Sequence, residues 1–508
     1  MTSEDPTATL VRDAPGAIRI AESDTVAVAL RDLEAGEELA CGGALTLMRD
    51  AIPAHHKFAL VSHAQGDPVF RFGHVIGMAS RAIAPGQHVH THNLVTALSG
   101  TLKYEFREMA SAKMRTARPE MTFRGYRRSD GRVGTRNDIW IIATVGCVAN
   151  VCEQIARRAE RLVQGQVDNV IAITHPHGCS QLGDDLQGTR EVLAALARHP
   201  NAGGVVLVGL GCESNQADAL IAAADGIDRS RLRHIQSQRA TDEISDGVAA
   251  VQELAEIASK DIRTECGLSD LVVGLKCGGS DALSGLTANP LLGDVADAVT
   301  ENGGRAILTE IPEIFGAEQL LMKRAASREV FDAIAGLVND FKDYFLTNNQ
   351  PVHENPSPGN KAGGITTLEE KSLGAVQKAG SATVTDVLRY GERVRKEGLS
   401  LLESPGNDAV SCTALAAAGA NLILFTTGRG TPLGFPVPTV KVSSNSMLAE
   451  RKPGWIDFDA GHALNGMPRA ELAETFLAEL MAMAGGQQTC NERNFEHSIA
   501  IWKRGVTL

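Results

Sequence analysis

Nine cysteines in 508 residues carry the first chemical signal. Four of them share one context. Cys147, Cys179, Cys212 and Cys277 close the phrases ATVGC, THPHGC, LVGLGC and VGLKC. Each phrase ends an apolar run that reads as a buried parallel strand, so each sulfur stands at the carboxyl end, where open α/β sheets hold ligands. Four strands with Cys in that slot can gather their sulfurs across wide sequence separation. Thiolates are soft donors that hold iron, zinc or iron–sulfur clusters. A small buried Cys is the plain alternative for any single one of them. Cys152, one helical turn past Cys147, reads as core, and Cys41, Cys266, Cys412 and Cys490 lack the pattern. The odd count and the absence of CxxC argue against a disulfide framework or a zinc ribbon.

Histidines sit near the same features. HPHGCSQLGDD sets His175 and His177 beside Cys179, Asp184 and Asp185. Imidazole, thiolate and carboxylate together suit a transition metal or proton transfer. Surface histidines ahead of an N-capping Asp are the structural alternative. AHHKF supplies His55, His56 and Lys57, and VHTHN supplies His90, His92 and Asn93. Alternate residues on a strand face one way, so His90 and His92 project together. Arg136 in GRVGTRND, Asn360 and Lys361 in SPGNKAGG, and Arg429 in TTGRGTP can bind a carboxylate, Arg by bidentate pairing. Ser280 and Asp281 in GGSDALSG can recognise hydroxyls. No P-loop, GxSxG elbow or GxGxxG after the first strand occurs, which weakens phosphoryl-transfer, esterase and dinucleotide readings.

These residues need elements to position them. The chain is 43% hydrophobic and 22% charged, as in a soluble globular protein of several domains. Aromatics are only 4%, against 51 Gly and 19 Pro, so the core must be aliphatic and the turns built on Gly. A net charge of −12 argues against nucleic acid or an anionic membrane as partner. No apolar run reaches the ~18–20 residues of a membrane helix, and the acidic N-terminus is no leader, so a cytoplasmic location is expected. Residues 1–16 read as a disordered tail and 17–98 as a small all-β module of short strands with Gly and Pro turns. Residues 99–122 read as a linker. Apolar strands alternating with helices predict a parallel-sheet α/β domain over 123–350. A smaller α/β domain is expected over 351–508, opened by a polar loop of ~20 residues whose length suggests function.

GYRRSDGRVGTRNDIWIIATVGCV, HPHGCSQLGDD, HPNAGGVVLVGLGCESNQ, LKCGGSDALSGLTANPLLGD, SPGNKAGGITTLEEKSLGA and LFTTGRGTPLGFPVPTVKVSSN together resemble the altronate/galactarate dehydratase family. The likeness spans residues 20–508, and the stretch from IPAHHKFAL to HVHTHN resembles the family's SAF-type β-clip module. HPHGCSQLGDD and HPNAGG are closer to the altronate branch. The resemblance implies a hydro-lyase that converts D-altronate to 2-dehydro-3-deoxy-D-gluconate, with galactarate or another sugar acid as the alternative substrate. It implies a need for Fe2+, with Mn2+ as a substitute. A labile 4Fe–4S cluster on three cysteines, one iron left open, is the alternative form of the metal. The expected roles are Cys147, Cys179, Cys212 and Cys277 at the metal; His56, Lys57, His90, His92, His175 and His177 in acid–base chemistry; and Asn93, Arg136, Ser280, Asp281, Asn360, Lys361 and Arg429 on the substrate. One departure stands at His55, where the family more often has Gly. A homo-oligomer is allowed. The competing class is a carbohydrate-binding or assembly protein without chemistry.

Overall fold

The computed structural model describes residues 16–41, 43–106 and 121–508. Residues 1–15 of the expected tail over 1–16 and most of the expected linker over 99–122 therefore lie outside the described residues. The N-terminal module is all-β and antiparallel. One sheet orders Ala17–Ile18, Val26–Ala29, Lys57–Ala59 and His88–Val89 side by side. A second joins Pro68–Arg71, His74–Ala79 and Leu94–Val95. The strands are two to six residues long, so the tight turns between them set the register.

Past residue 121 the architecture becomes α/β. Four parallel strands stand in the order Val170–Ile173, Asp138–Ala143, Ala202–Gly209, Leu232–Gln236. Asp138–Ala143 is buried throughout, which is why it reads as an unbroken apolar run. Ile139, Ile141 and Ala143 pack with helices Ala149–Ala159 and Glu243–Ala258, while Trp140 and Ile142 face a second core shared with helix Gly183–Ala197.

The second sheet corrects the expected division of the chain. Its seven parallel strands run in the order Val384–Leu388, Gly398–Leu402, Arg305–Leu308, Val272–Cys277, Leu422–Thr427, Thr439–Ser443, Phe458–Asp459. Val272–Cys277 and Arg305–Leu308, assigned from sequence to the 123–350 domain, thus form the centre of the C-terminal sheet. Local patterning marks a strand but not its neighbour, and Val272–Cys277 pairs with Leu422–Thr427 across ~150 residues of chain. Among the described residues no helix is long and apolar enough to cross a membrane.

Arg136 belongs to this framework rather than to a substrate pocket. Its guanidinium is buried, pairs with both oxygens of Glu492 at 2.6 and 2.9 Å, and donates to the carbonyls of Thr135, Met483 and Gln487. Every donor direction is engaged at the seam between the two α/β units. Arg136→Ala leaves Glu492 buried without its partner and is expected to lower stability by about 3–5 kcal/mol in denaturant unfolding. Burial alone would raise Glu492, but Arg136 outweighs it and holds the carboxyl below its usual value. The pair's contribution is therefore complete above the ordinary carboxylate range, near pH 4–5, and fades as the pH falls toward the folded value.

Candidate active site

Strand pairing builds the first cluster. Lys57 lies opposite Val89 and Phe58 opposite His88, so His56 meets the continuation of the partner strand at His90. Alternation puts His88 and His90 on one face. The three rings converge: His56 lies 5.1 Å from His88 and 4.9 Å from His90 between centroids, and His88 lies 5.4 Å from His90. Each offers a nitrogen, and these atoms all fall within 4.8 Å of one another. Burial, then the neighbouring histidines and, for His90, Lys57, push His88 down to about 4 and His90 down to about 3. All three rings are therefore neutral near pH 7, the form that ligates metals.

The module is clamped over a loop of the C-terminal unit. His56 Nε2 lies 3.4 Å from the Ala362 carbonyl, and His90 Nδ1 lies 3.0 Å from Thr366 Oγ1. Lys57 Nζ donates to Gly364 O at 2.7 Å, Thr366 Oγ1 at 2.9 Å and Glu370 at 2.9 Å. Arg71 reaches the other oxygen of Glu370 and the Ala282 carbonyl. With its three protons engaged and its side chain fully buried, Lys57 is an anchor rather than a free base. Gly364 has φ +92°, and a Cβ there would stand 2.2 Å from the His55 carbonyl, so only glycine allows this approach. His55 itself has φ +71°, the left-handed region that favours glycine.

Beneath the module, Asp281 accepts from Ser284 Oγ, Ser444 Oγ and Asn445 Nδ2 at 2.8, 2.8 and 3.1 Å, and so ties the turn after Val272–Cys277 to the turn after Thr439–Ser443. Asn360 Nδ2 donates to the Ser280 carbonyl at 2.8 Å. Arg429 N donates to Gly279 O at 2.9 Å, which seats the exposed Arg429 side chain's backbone against the residue before Ser280. Lys361 is half-buried next to Ala362. The fold therefore brings His56, His90, Ser280, Asp281, Asn360, Lys361 and Arg429 into one region. Asn93 braces it: its Oδ1 accepts from His90 N at 2.9 Å and its Nδ2 donates to His88 O at 2.9 Å. His92 is exposed, outside the three-nitrogen group, with its ring 5.3 Å from that of His88.

Cys277 does not join the other cysteines, because its strand belongs to the other sheet. Its sulfur lies 2.8 Å from Lys378 Nζ and within 3.7 Å of Glu310 and Glu313. Lys276 pairs with Glu310 and Asp408, and Lys371 with Glu313. Burial would raise Glu310, but Lys276 and Lys378 outweigh it and hold the carboxyl at about 2. Burial, then Glu310, pushes the Cys277 thiol up to about 11. Lysine ammonium groups thus occupy the space between these donors, and the cluster is a neutral, balanced network rather than a cation cage. Glu310 is held at φ +64°, a strained conformation for a non-glycine residue beside the site.

The remaining three cysteines do share one edge. Cys147, Cys179 and Cys212 are exposed, in loops that leave three adjacent strands of the middle sheet. Those loops are bonded to one another. Gly146 N donates to His177 O at 2.8 Å, Asn215 N to Gly178 O at 2.9 Å, and Asn215 Nδ2 to Thr144 O at 3.1 Å. A Cβ on Gly178 would meet Thr144 O at 2.2 Å, so the close approach of these loops requires glycine. Cys212 Sγ accepts from Gln238 Nε2 at 3.6 Å. His177 is half-buried in the same loops. His175 is not free for acid–base work: Nε2 lies 2.9 Å from Ala143 O, and Nδ1 accepts from His177 N at 3.1 Å. His199 repeats this turn with Ala420 O and Asn201 N, which identifies a structural His-Pro device used twice.

Sequence reasoning missed His88, although it stands in the same alternating run as His90 and His92. It also missed Arg71 and Glu370, whose pairing spans 299 residues of chain and has no local signal.

Comparison with known proteins finds matches over most of the chain. Residues 15–97 match the altronate/galactarate dehydratase SAF domain, 125–259 the D-galactarate dehydratase/altronate hydrolase second domain, and 268–507 the D-galactarate/altronate dehydratase C-terminal domain. An altronate dehydratase of Bacillus subtilis is 48% identical over 97% of this chain and 99% of its own length. One from Escherichia coli is 48% identical over 97% and 99%. The L-threo-forming galactarate dehydratase of Escherichia coli is 33% identical over 88% of each.

Proposed function

The chain belongs to the galactarate/altronate dehydratase family and is a sugar-acid dehydratase, a hydro-lyase; from that premise we propose that it converts D-altronate to 2-dehydro-3-deoxy-D-gluconate and water. The observation that carries the reading is the meeting of three neutral imidazoles with the 358–371 loop and the Ser280–Asp281 turn, all within a chain 48% identical to two altronate dehydratases. The donor set fits a divalent transition ion. Imidazole suits iron among the first-row ions, which supports Fe2+ at His56, His88 and His90. When bound there, such an ion supplies Lewis acidity toward carboxylate and hydroxyl oxygens.

The chain's own groups do the rest. Lys361 and Arg429 bring positive charge to the mouth and hold the substrate carboxylate. Ser280 orients the hydroxyls, and Asp281 keeps that turn in place. His92, exposed beside His88, takes the proton from C2. The C2–H electron pair forms the C2–C3 double bond as the C3–O bond breaks, and the departing hydroxide takes up the proton that His92 accepted and leaves as water. The enol product then tautomerises to the 2-keto acid. A substrate panel tests the assignment. D-altronate should give the highest kcat/KM of the acids tried, and preference for galactarate would overturn the substrate while keeping the reaction class. Absence of any 2-keto product from the metal-loaded protein would favour a binding role instead.

The exposed thiols of Cys147, Cys179 and Cys212 support a second iron site, a 4Fe–4S cluster with three protein ligands and one open iron. After anaerobic purification, Cys179→Ser and Cys212→Ser are each expected to lose the cluster's iron together with acid-labile sulfide. Sulfide near zero in fully active wild-type enzyme would sink the cluster. Unchanged iron in both variants would remove thiolate ligation altogether.

A further inference from the structure

The amino ends of the middle sheet's strands hold a cavity of about 160 Å³, on the edge opposite the cysteines. It lies between the turn 127–132, the His199–Pro200 corner and the turn 228–231. Most of its guanidinium groups have acidic partners. Arg128 and Arg231 share Asp261 at 2.8 and 2.7 Å, Arg127 takes Asp270 at 3.0 Å, and Arg132 takes Asp130 at 2.6 Å. Arg198 does not. Its terminal nitrogen donates only to the Asp225 carbonyl at 3.1 Å, and its Nε is buried with no partner. Burial, then Arg132, lowers Arg198 from the usual guanidinium value, and Asp225 offsets this only in part. Arg127, Arg128, Arg132, Arg198 and Arg231 line the cavity against Asp130, Asp228 and Asp261, so in a chain of net charge −12 it is a local reversal of sign.

We propose that this cavity binds a small polyanion, a phosphate ester or a di- or tricarboxylate, on the free Arg198 guanidinium with Arg128, Arg132 and Arg231 around it. Guanidinium groups in fixed directions recognise paired anionic oxygens by bidentate bonds. The site is not a substrate subsite. Arg127 at the cavity pairs with Asp270, ahead of Val272–Cys277, and Ser280 follows that strand, so its six residues at about 3.3 Å each set the cavity roughly 20 Å from the proposed substrate site. A ligand there neutralises the local excess of positive charge away from the substrate, which is an effector's position.

Thermal unfolding and calorimetric titration of the metal-loaded enzyme test this with inorganic phosphate, citrate and gluconate. Citrate, phosphate or both should raise Tm and bind with Kd of about 1 mM or tighter, while gluconate, with a single carboxylate, should not. Response to citrate alone identifies a polycarboxylate, and response to phosphate alone a phosphate ester. Arg198→Gln should abolish the shift and leave basal kcat unchanged. No shift with either polyanion at about 10 mM, an equal response to gluconate, or an undiminished shift in Arg198→Gln would overturn the proposal.

Discussion

His88→Gln is expected to lose bound metal and about 10²–10³-fold in kcat, whereas His92→Gln keeps the metal and loses about 10²–10⁴-fold. The split follows from position. His88 Nε2 lies 3.0 Å from His56 Nδ1 inside the three-nitrogen group, and its ring is partly enclosed and neutral near pH 7. Removing that imidazole takes away one of three donors. His92 is outside the group and exposed, so its loss removes a proton carrier without touching the ligand set. Metal per chain by elemental analysis, set beside kcat, separates the two roles. Full metal content in His88→Gln would show that the cluster is not the binding site. Metal loss in His92→Gln would move it into the ligand set.

Glu370→Gln should disable the enzyme by a different route. Glu370 is the buried counter-charge to both Lys57 and Arg71, and burial would raise its pKa were it not outweighed by those two cations. Neutralising it leaves two buried cations facing one amide, a loss of about 3–5 kcal/mol. That loss falls on the contact that seats the β module over the 358–371 loop. The expected outcome is a lower-temperature unfolding step for the module, faster hydrogen exchange over residues 57–90, and activity lowered by about 10²-fold, since misplacing catalytic groups by about 1 Å has that cost. An unchanged exchange pattern with lost activity would instead assign Glu370 to the chemistry itself.

Local patterning was enough to read the architecture in outline. An all-β module, then parallel sheets with helices on both faces, followed from alternation, apolar run length and Gly/Pro punctuation, each a property of a few consecutive residues. The same holds for the strand-end slots of Cys147, Cys179 and Cys212, because a strand's carboxyl end is a local feature. Which strands become neighbours is not local. Val272–Cys277 has the same composition as the strands of the middle sheet, yet pairs with Leu422–Thr427, and that alone separates Cys277 from the other three sulfurs.

The site divides in the same way. The chemistry that His90, Lys361 and Arg429 offer was legible by residue type and spacing, and His88 was within reach of the same period. The roles of Arg136, His175 and Lys57 were not. Residue type says that a guanidinium, an imidazole or an ammonium can bind substrate or move a proton, but only its surroundings say whether those hydrogen bonds are already engaged. Glu492 lies 356 residues from Arg136, and Glu370 lies 313 residues from Lys57. Buried charges find partners wherever the fold places them, and the desolvation they must offset makes those pairings obligatory. Sequence determined the chemistry available to this protein, and tertiary structure decided which of those groups remained free to use it.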